Sequence, residues 1–351
     1  MRFYTQRHQY TLGIDLHART MYLCLLDSAG QIVLHRNVPT SPEALLEAVE
    51  PYRDDLVVAA ECMFAWYWLA DTCVDHGIAF VLGHALYMKA IYGGKAKNDR
   101  IDAEKIARLT FGMTLPIAYV YPPRMRATRD LMRRRTFLVR QRALLLTHIQ
   151  TTCQQYNLPS FNRRIAYRAN RDGLDEHFAS VDVSVGDMVR MDMQLINELD
   201  TLIRHAELAI VNRAKVHDAA MFYRLRSIPG VGKVLGLIMM YEIHQISRFP
   251  RVQDFVSYCR LVRPAKESAG KRSGGSSGKK IGNAHLKWAL SEATTLLMSK
   301  SPEAKKFVER KSKKYGKAKA ISVLAAKLGR AVYHMLRDEK PFDEGTFFAG
   351  L

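Results

Sequence analysis

The order of apolar runs in the N-terminal third limits what this chain can build. Y-T-L-G-I-D-L-H, M-Y-L-C-L-L-D and Q-I-V-L-H-R-N-V read as three successive strands, with a turn at Ser28-Ala29-Gly30 between the second and third. A helix starts at Thr40-Ser41-Pro42-Glu43, where proline suits the first turn. L-V-V-A-A-E is then a buried strand, F-A-W-Y-W-L-A-D-T-C a helix, I-A-F-V-L a strand, and residues 98–111 another helix. Trp66 and Trp68 fall in this pattern as core residues.

Three strands followed by alternating helix and strand is the order of a ribonuclease-H-like mixed sheet. On that scaffold, sparse acids stand out. Asp15 lies within the first strand and Glu61 ends the fourth. Asp99 and Asp102, in K-A-K-N-D-R-I-D-A-E-K, are three apart and share one helix face. Carboxylates gathered in an otherwise basic chain suit a divalent cation acting on phosphate, because hard cations such as Mg²⁺ take oxygen ligands and keep waters and substrate phosphates as partners. His17, two residues after Asp15, shares its strand face; it reads first as structural and second as an assistant to the site. Lys95 and Lys97 are candidates for a phosphate or for a solvated loop.

With 351 residues and 48% hydrophobic content, the chain is long enough for two or three cored domains. Its net charge of +19 favours a polyanionic partner, most simply nucleic acid. No apolar run reaches transmembrane length, and the N-terminus lacks a signal-peptide core. The five cysteines are scattered without a C-x-x-C pair, which argues against zinc and disulfides and fits a reducing cytoplasm.

Beyond Pro122-Pro123 the pattern turns helical. Residues 124–156 are strongly basic, with Arg124, Arg126, Arg129, Arg133, Arg134, Arg135, Arg140 and Arg142; of these Arg124, Arg126, Arg133, Arg134 and Arg135 are expected to contact nucleic acid, RNA or DNA, and Leu131, Leu138 and Leu145 recur every seventh residue. A second helix over about 185–216 carries the row Val189, Ile196, Ile203 and Ile210, with Leu199 and Ala206 beside it. The two read either as a coiled-coil hairpin or as an ordinary core seam. I-P-G-V-G-K resembles the turn of a helix-hairpin-helix, in which Gly230, Gly232 and Lys233 would approach a phosphate. The stretch 267–280 is Gly/Ser-rich and cationic, with Lys271, Arg272, Lys279 and Lys280, and Lys266 just before it; it reads as a loop whose cations meet DNA phosphates or else as a flexible linker, and it ends where Asn283 can cap a helix. A further basic block runs from Lys305 to Lys319. The expected architecture is α/β plus all-α: a mixed-sheet domain over 1–120, a helical hairpin over 121–220 and a helical domain over 221–351.

Taken in order, these motifs resemble a known family. G-I-D-L-H, A-A-E, K-N-D-R-I-D-A-E, I-P-G-V-G, C-R-L-V-R-P-A-K-E-S-A-G-K and K-K-I-G-N-A-H-L-K-W-A-L are similar to the insertion-sequence transposases that join a RuvC-like DEDD domain to a C-terminal serine-bearing domain, the bridge-RNA-guided relatives of Piv-type invertases. The resemblance implies that Asp15, Glu61, Asp99 and Asp102 hold Mg²⁺. It implies that Ser268 attacks a DNA phosphodiester to form a phosphoserine intermediate before strand exchange. Ala269 departs from the commoner Ser-Gly-Gly form, which keeps Ser273, Ser276 and Ser277 as alternatives. It also implies donor and target duplex DNA, a structured noncoding guide RNA, a dimer-to-tetramer assembly, no membrane, and a bacterial or archaeal cytoplasm with the nucleoid. The rival reading is a RuvC-like structure-selective endonuclease or junction resolvase that uses the carboxylates without the serine.

Overall fold

The computed structural model describes residues 2–91, 98–159, 164–262, 267–268, 271–272 and 281–349. The chain forms two compact units, Met1–Pro123 and Arg124–Leu351.

The first unit is a five-stranded sheet flanked by helices. Its elements are β1 (Tyr10–Leu16), β2 (Thr20–Leu26), β3 (Ile32–Pro39), α1 (Pro42–Val49), β4 (Leu56–Glu61), α2 (Trp66–Asp75), β5 (Ala79–Gly83), α3 (Ala85–Ile91) and α4 (Asp99–Phe111). The spatial order is β3-β2-β1-β4-β5. The first three strands are antiparallel, and β4 and β5 continue the sheet in parallel. This is the ribonuclease-H/RuvC-like arrangement that the strand pattern implies. Ser41 starts α1 by accepting the Ala44 N–H at 3.1 Å, with Pro42 in the first turn. The short helix α3 is not marked by any sequence signal noted above.

Strand alternation divides the unit. Leu12, Ile14 and Leu16 of β1 join Leu23, Val58, Leu45 and Leu69 in a core beneath α1 and α2. Gly13 and Asp15 face the other way, the side covered by α4. A Cβ on Gly13 would lie 2.3 Å from the Ala107 nitrogen and 2.4 Å from the Ala103 carbonyl oxygen, so the glycine lets the helix backbone rest directly on the strand. Cys24, Ala103 and Ala107 complete this small-residue contact.

The second unit contains α5 (Pro123–Gln155, whose first residue closes the first unit), α6 (Leu174–Ala179), α7 (Val183–Arg226), α8 (Lys233–Ile243), α9 (Val252–Tyr258), the two-residue strands β6 (Glu267–Ser268) and β7 (Lys271–Arg272), α10 (Ala284–Lys300), α11 (Pro302–Tyr315), α12 (Lys317–Arg337) and α13 (Glu344–Phe348). α5 and α7 form an antiparallel hairpin, with Arg135 paired to Glu207, Arg142 to Asp200 and His148 to Asp192. Val189, Ile196, Ile203 and Ile210 are all buried. One core lies toward the hairpin tip around Ile149, Phe178 and Val189; a larger one is built by α8 to α13 together with the base of α5 and α7, around Tyr241, Phe255, Leu290 and Leu328. α7 leaves helical geometry at Asp218, whose carboxylate accepts the Met221 N–H at 2.8 Å and so restarts the helix. Asn283 caps α10 as its sequence suggests, accepting from His285 and Leu286.

Candidate active site

Four of the expected residues come to one rim of the first unit. Asp15 lies near the end of β1. The β1–β4 register pairs Ile14 with Ala60, so the next step sets Asp15 beside Glu61, at the end of β4 and on the same sheet face. Asp99 and Asp102 occupy the first turn of α4, where negative charge complements the helix dipole; Asn98 caps that turn by accepting the Ile101 N–H at 2.8 Å. Because Gly13 lets α4 settle on β1, this first turn reaches the Asp15 end of the strand.

The closest grouping of donor atoms is nonetheless not the four carboxylates. His17 Nε2 lies 3.3 Å from Asp15 Oδ2 and 3.4 Å from Asp99 Oδ1. Among the described residues, Asp15, His17 and Asp99 form the group whose ligand atoms all fall within 4.8 Å of one another. Asp102 pairs with Lys105 at 3.1 Å. His17, whose sequence reading is first structural and second an assistant to the site, stands in this group, and the signal for it in the sequence is its two-residue spacing from Asp15.

The electrostatics suit a cation. Burial pushes the Asp15 carboxyl above the usual range, Asp99 and Asp102 push it further, and His17 opposes them. A divalent ion would relieve this repulsion. The donor set of carboxylate oxygens plus one imidazole nitrogen fits such an ion.

A mixed sheet in this order, with acids near the ends of β1 and β4 and on a helix laid across them, is a RuvC-like domain. Comparison with known proteins makes that specific. Residues 12–158 match the DEDD model of IS110 elements, described as "Transposase", and residues 223–309 match "Transposase IS116/IS110/IS902 family". The transposase for insertion sequence element IS1111A of Coxiella burnetii (strain RSA 493 / Nine Mile phase I) is 25% identical over 350 residues, covering 95% of this chain and 92% of that one. The chain belongs to the IS110/IS116 family of insertion-sequence transposases and is an enzyme acting on DNA.

These matches correct the serine-attack expectation. The model covering residues 12–158 takes its name from DEDD carboxylates, so the findings support carboxylate chemistry of the RuvC-like rival reading in place of serine attack. Ser268 stands in β6, its backbone paired with Lys271 of β7, while Ser273, Ser276 and Ser277 lie outside the described residues. Lys95, Lys97, Lys266, Lys279 and Lys280 also lie outside them.

Several residues expected at a nucleic-acid surface have internal roles. Arg126 is buried. Arg133 forks onto buried Glu242 at 2.7 and 3.1 Å, Arg129 reaches the same carboxylate at 3.0 Å, and Arg135 holds Glu207. Burial alone would raise the Glu242 carboxyl; Arg133, Arg129 and the Asn283 amide outweigh it and hold the group at about 2. Arg124 and Arg134 remain exposed. Gly230 has φ +86, and a Cβ there would meet Leu296 at 2.7 Å, so this glycine lets the turn pack closely against α10. Gly232 and Lys233 are open to solvent. Among the described residues, no helix is long and apolar enough to cross a membrane.

Proposed function

We propose that this transposase cuts and rejoins DNA at the rim of its first unit, with Asp15, Glu61, Asp99 and Asp102 as the acidic set and His17 completing it. The observation that carries the reading is the convergence of Asp15, His17 and Asp99 within 4.8 Å. Mg²⁺ is the proposed ion, and Mn²⁺, which accepts imidazole more readily, is the competitor. When bound, such an ion would neutralise the attacked phosphate and lower the pKa of an oxygen nucleophile. Asp15 and Asp99 would hold it, and Glu61 lies on the adjacent strand of the same face.

Sequence choice by a noncoding guide RNA is the finer part of the proposal. It rests on the family resemblance and on the net charge of +19, which suits binding to nucleic-acid backbone. The exposed Lys305, Lys306, Arg310, Lys313, Lys314, Lys317 and Lys319 on α11 and α12 offer one such surface. Self-association is proposed through the hairpin, where Phe137, Leu144, Leu195 and Leu202 are exposed at seven-residue spacing on each helix.

The test is a cleavage assay on element-end DNA with full-length protein, Mg²⁺, and the noncoding RNA flanking the gene present or absent. Asp15→Asn should abolish cutting, and Ser268→Ala should keep it without a covalent protein–DNA adduct. Cutting that survives Asp15→Asn and disappears in Ser268→Ala would overturn the carboxylate mechanism. Equal cutting without RNA would remove the guide.

A further inference from the structure

The loop behind Glu61 presents an aromatic ring to solvent beside the acidic rim. Cys62 N–H donates to the Gly83 carbonyl at 2.9 Å, which carries the β4–β5 pairing one residue past the strand. Met63 N–H donates to the Glu61 carbonyl at 2.8 Å, closing a tight turn. α2 then begins at Trp66, which is buried at 6% exposure and packs edge-on against Tyr67. Phe64 therefore sits between two anchors. The residue is 76% exposed, more than any other Phe, Tyr or Trp among the described residues, and Met63 beside it is 48% exposed.

Neither local structure nor the core explains that exposure. An isolated exposed apolar residue is ordinary, but here two adjoin a carboxylate that ends a strand. Three residues of chain span at most about 10 Å, so Phe64 stays within that reach of Glu61. A phosphodiester held at the rim carries its flanking bases past the end of the sheet. An aromatic face at that position can take up a base that has left its stack, a contact that tolerates any base because each has a π-face. From Cys62 to Trp66 there is no charged side chain and no amide to read a base edge.

We propose that Phe64 is a stacking platform for one unpaired nucleobase of the strand held at the acidic rim, an assignment that rests on the cutting reading above. Phe64 positions the strand and takes no part in the bond exchange. Met63 would line the same platform.

The experiment uses the full-length protein in Ca²⁺ with three fluorescent probes: a DNA duplex carrying an unpaired 2-aminopurine, the same base paired, and the RNA counterpart of the unpaired form. Wild type should bind an unpaired probe roughly tenfold more tightly than the paired one and quench its fluorescence, the scale of one base stacked on one aromatic. Phe64→Ala should lose both preference and quenching with an unchanged thermal midpoint; Phe64→Trp should retain both. The effect on the unpaired DNA probe carries the proposal; a preference confined to the RNA probe overturns it, because the strand held at the rim is the DNA that is cut. Phe64→Ala that keeps the preference, or that weakens paired and unpaired probes alike, overturns it. Asp15→Asn, run in parallel for cutting in Mg²⁺, reports separately on the cutting reading: activity surviving there sinks that reading while the stacking result is read on its own.

Discussion

Asp15 in the first unit and Glu242 in the second are both carboxylates set into apolar sequence, yet Asp15 has acids for neighbours and Glu242 has arginines. Glu242 is buried, and two guanidinium groups and an amide satisfy its oxygens. Asp15 is half-buried beside Asp99 and Asp102, with the half-exposed His17 between Asp15 and Asp99. One arrangement is electrostatically complete within the chain; the other would become so on gaining the proposed cation. The difference separates an acid that builds the fold from the acids proposed to make the site, although both interrupt a hydrophobic run.

Four substitutions break or sharpen this contrast. Asp15→Asn should lower DNA cutting roughly a thousandfold, the scale of one electrostatic group at a reacting centre, while leaving the thermal midpoint unchanged or raised because a like charge is gone. Glu242→Gln should do the reverse: cutting per folded molecule holds, but the second unit loses about 3–5 kcal/mol in urea unfolding, since two arginines lose their buried counter-charge. The Glu242 carboxyl is held down at about 2 from 4.5, so its stabilisation is present above its unfolded value and fades as pH falls toward 2. Hydrogen exchange of α8 amides across that interval should accelerate in wild type more than in Glu242→Gln. Gly13→Ala should cost about 1–3 kcal/mol in the first unit by lifting α4, and should weaken metal binding read by calorimetry. Asn283→Ala should cost about 1 kcal/mol through the lost α10 cap, with its Glu242 contact adding to the loss.

Much of the first unit is legible in its residues because strand alternation, a capped helix start and a lone acid per strand are local signals. Asp15, Glu61, Asp99 and Asp102 could be placed on elements from sequence; that α4 lies across β1 depends on Gly13, whose role appears only when Ala103 and Ala107 pack over it. The arginines of α5 were less readable. A cation on a helix looks the same whether it faces water or a carboxylate more than a hundred residues away, as Arg133 does with Glu242. The available clue was Glu242 itself, a charge inside the apolar run V-L-G-L-I-M-M-Y-E-I that calls for a buried partner. Gly230 carries a second demand that its sequence does not show: besides the positive φ of the turn, it must leave room for Leu296 of α10.

The hairpin has a consequence of scale. The 33 residues of α5 rise about 50 Å, and α7 runs back along them with its ion pairs in antiparallel step. That length matches about fifteen base pairs of duplex at roughly 3.4 Å each. With one core near its base and another toward its tip, the arm holds its two ends about 50 Å apart, the length of about a turn and a half of double helix.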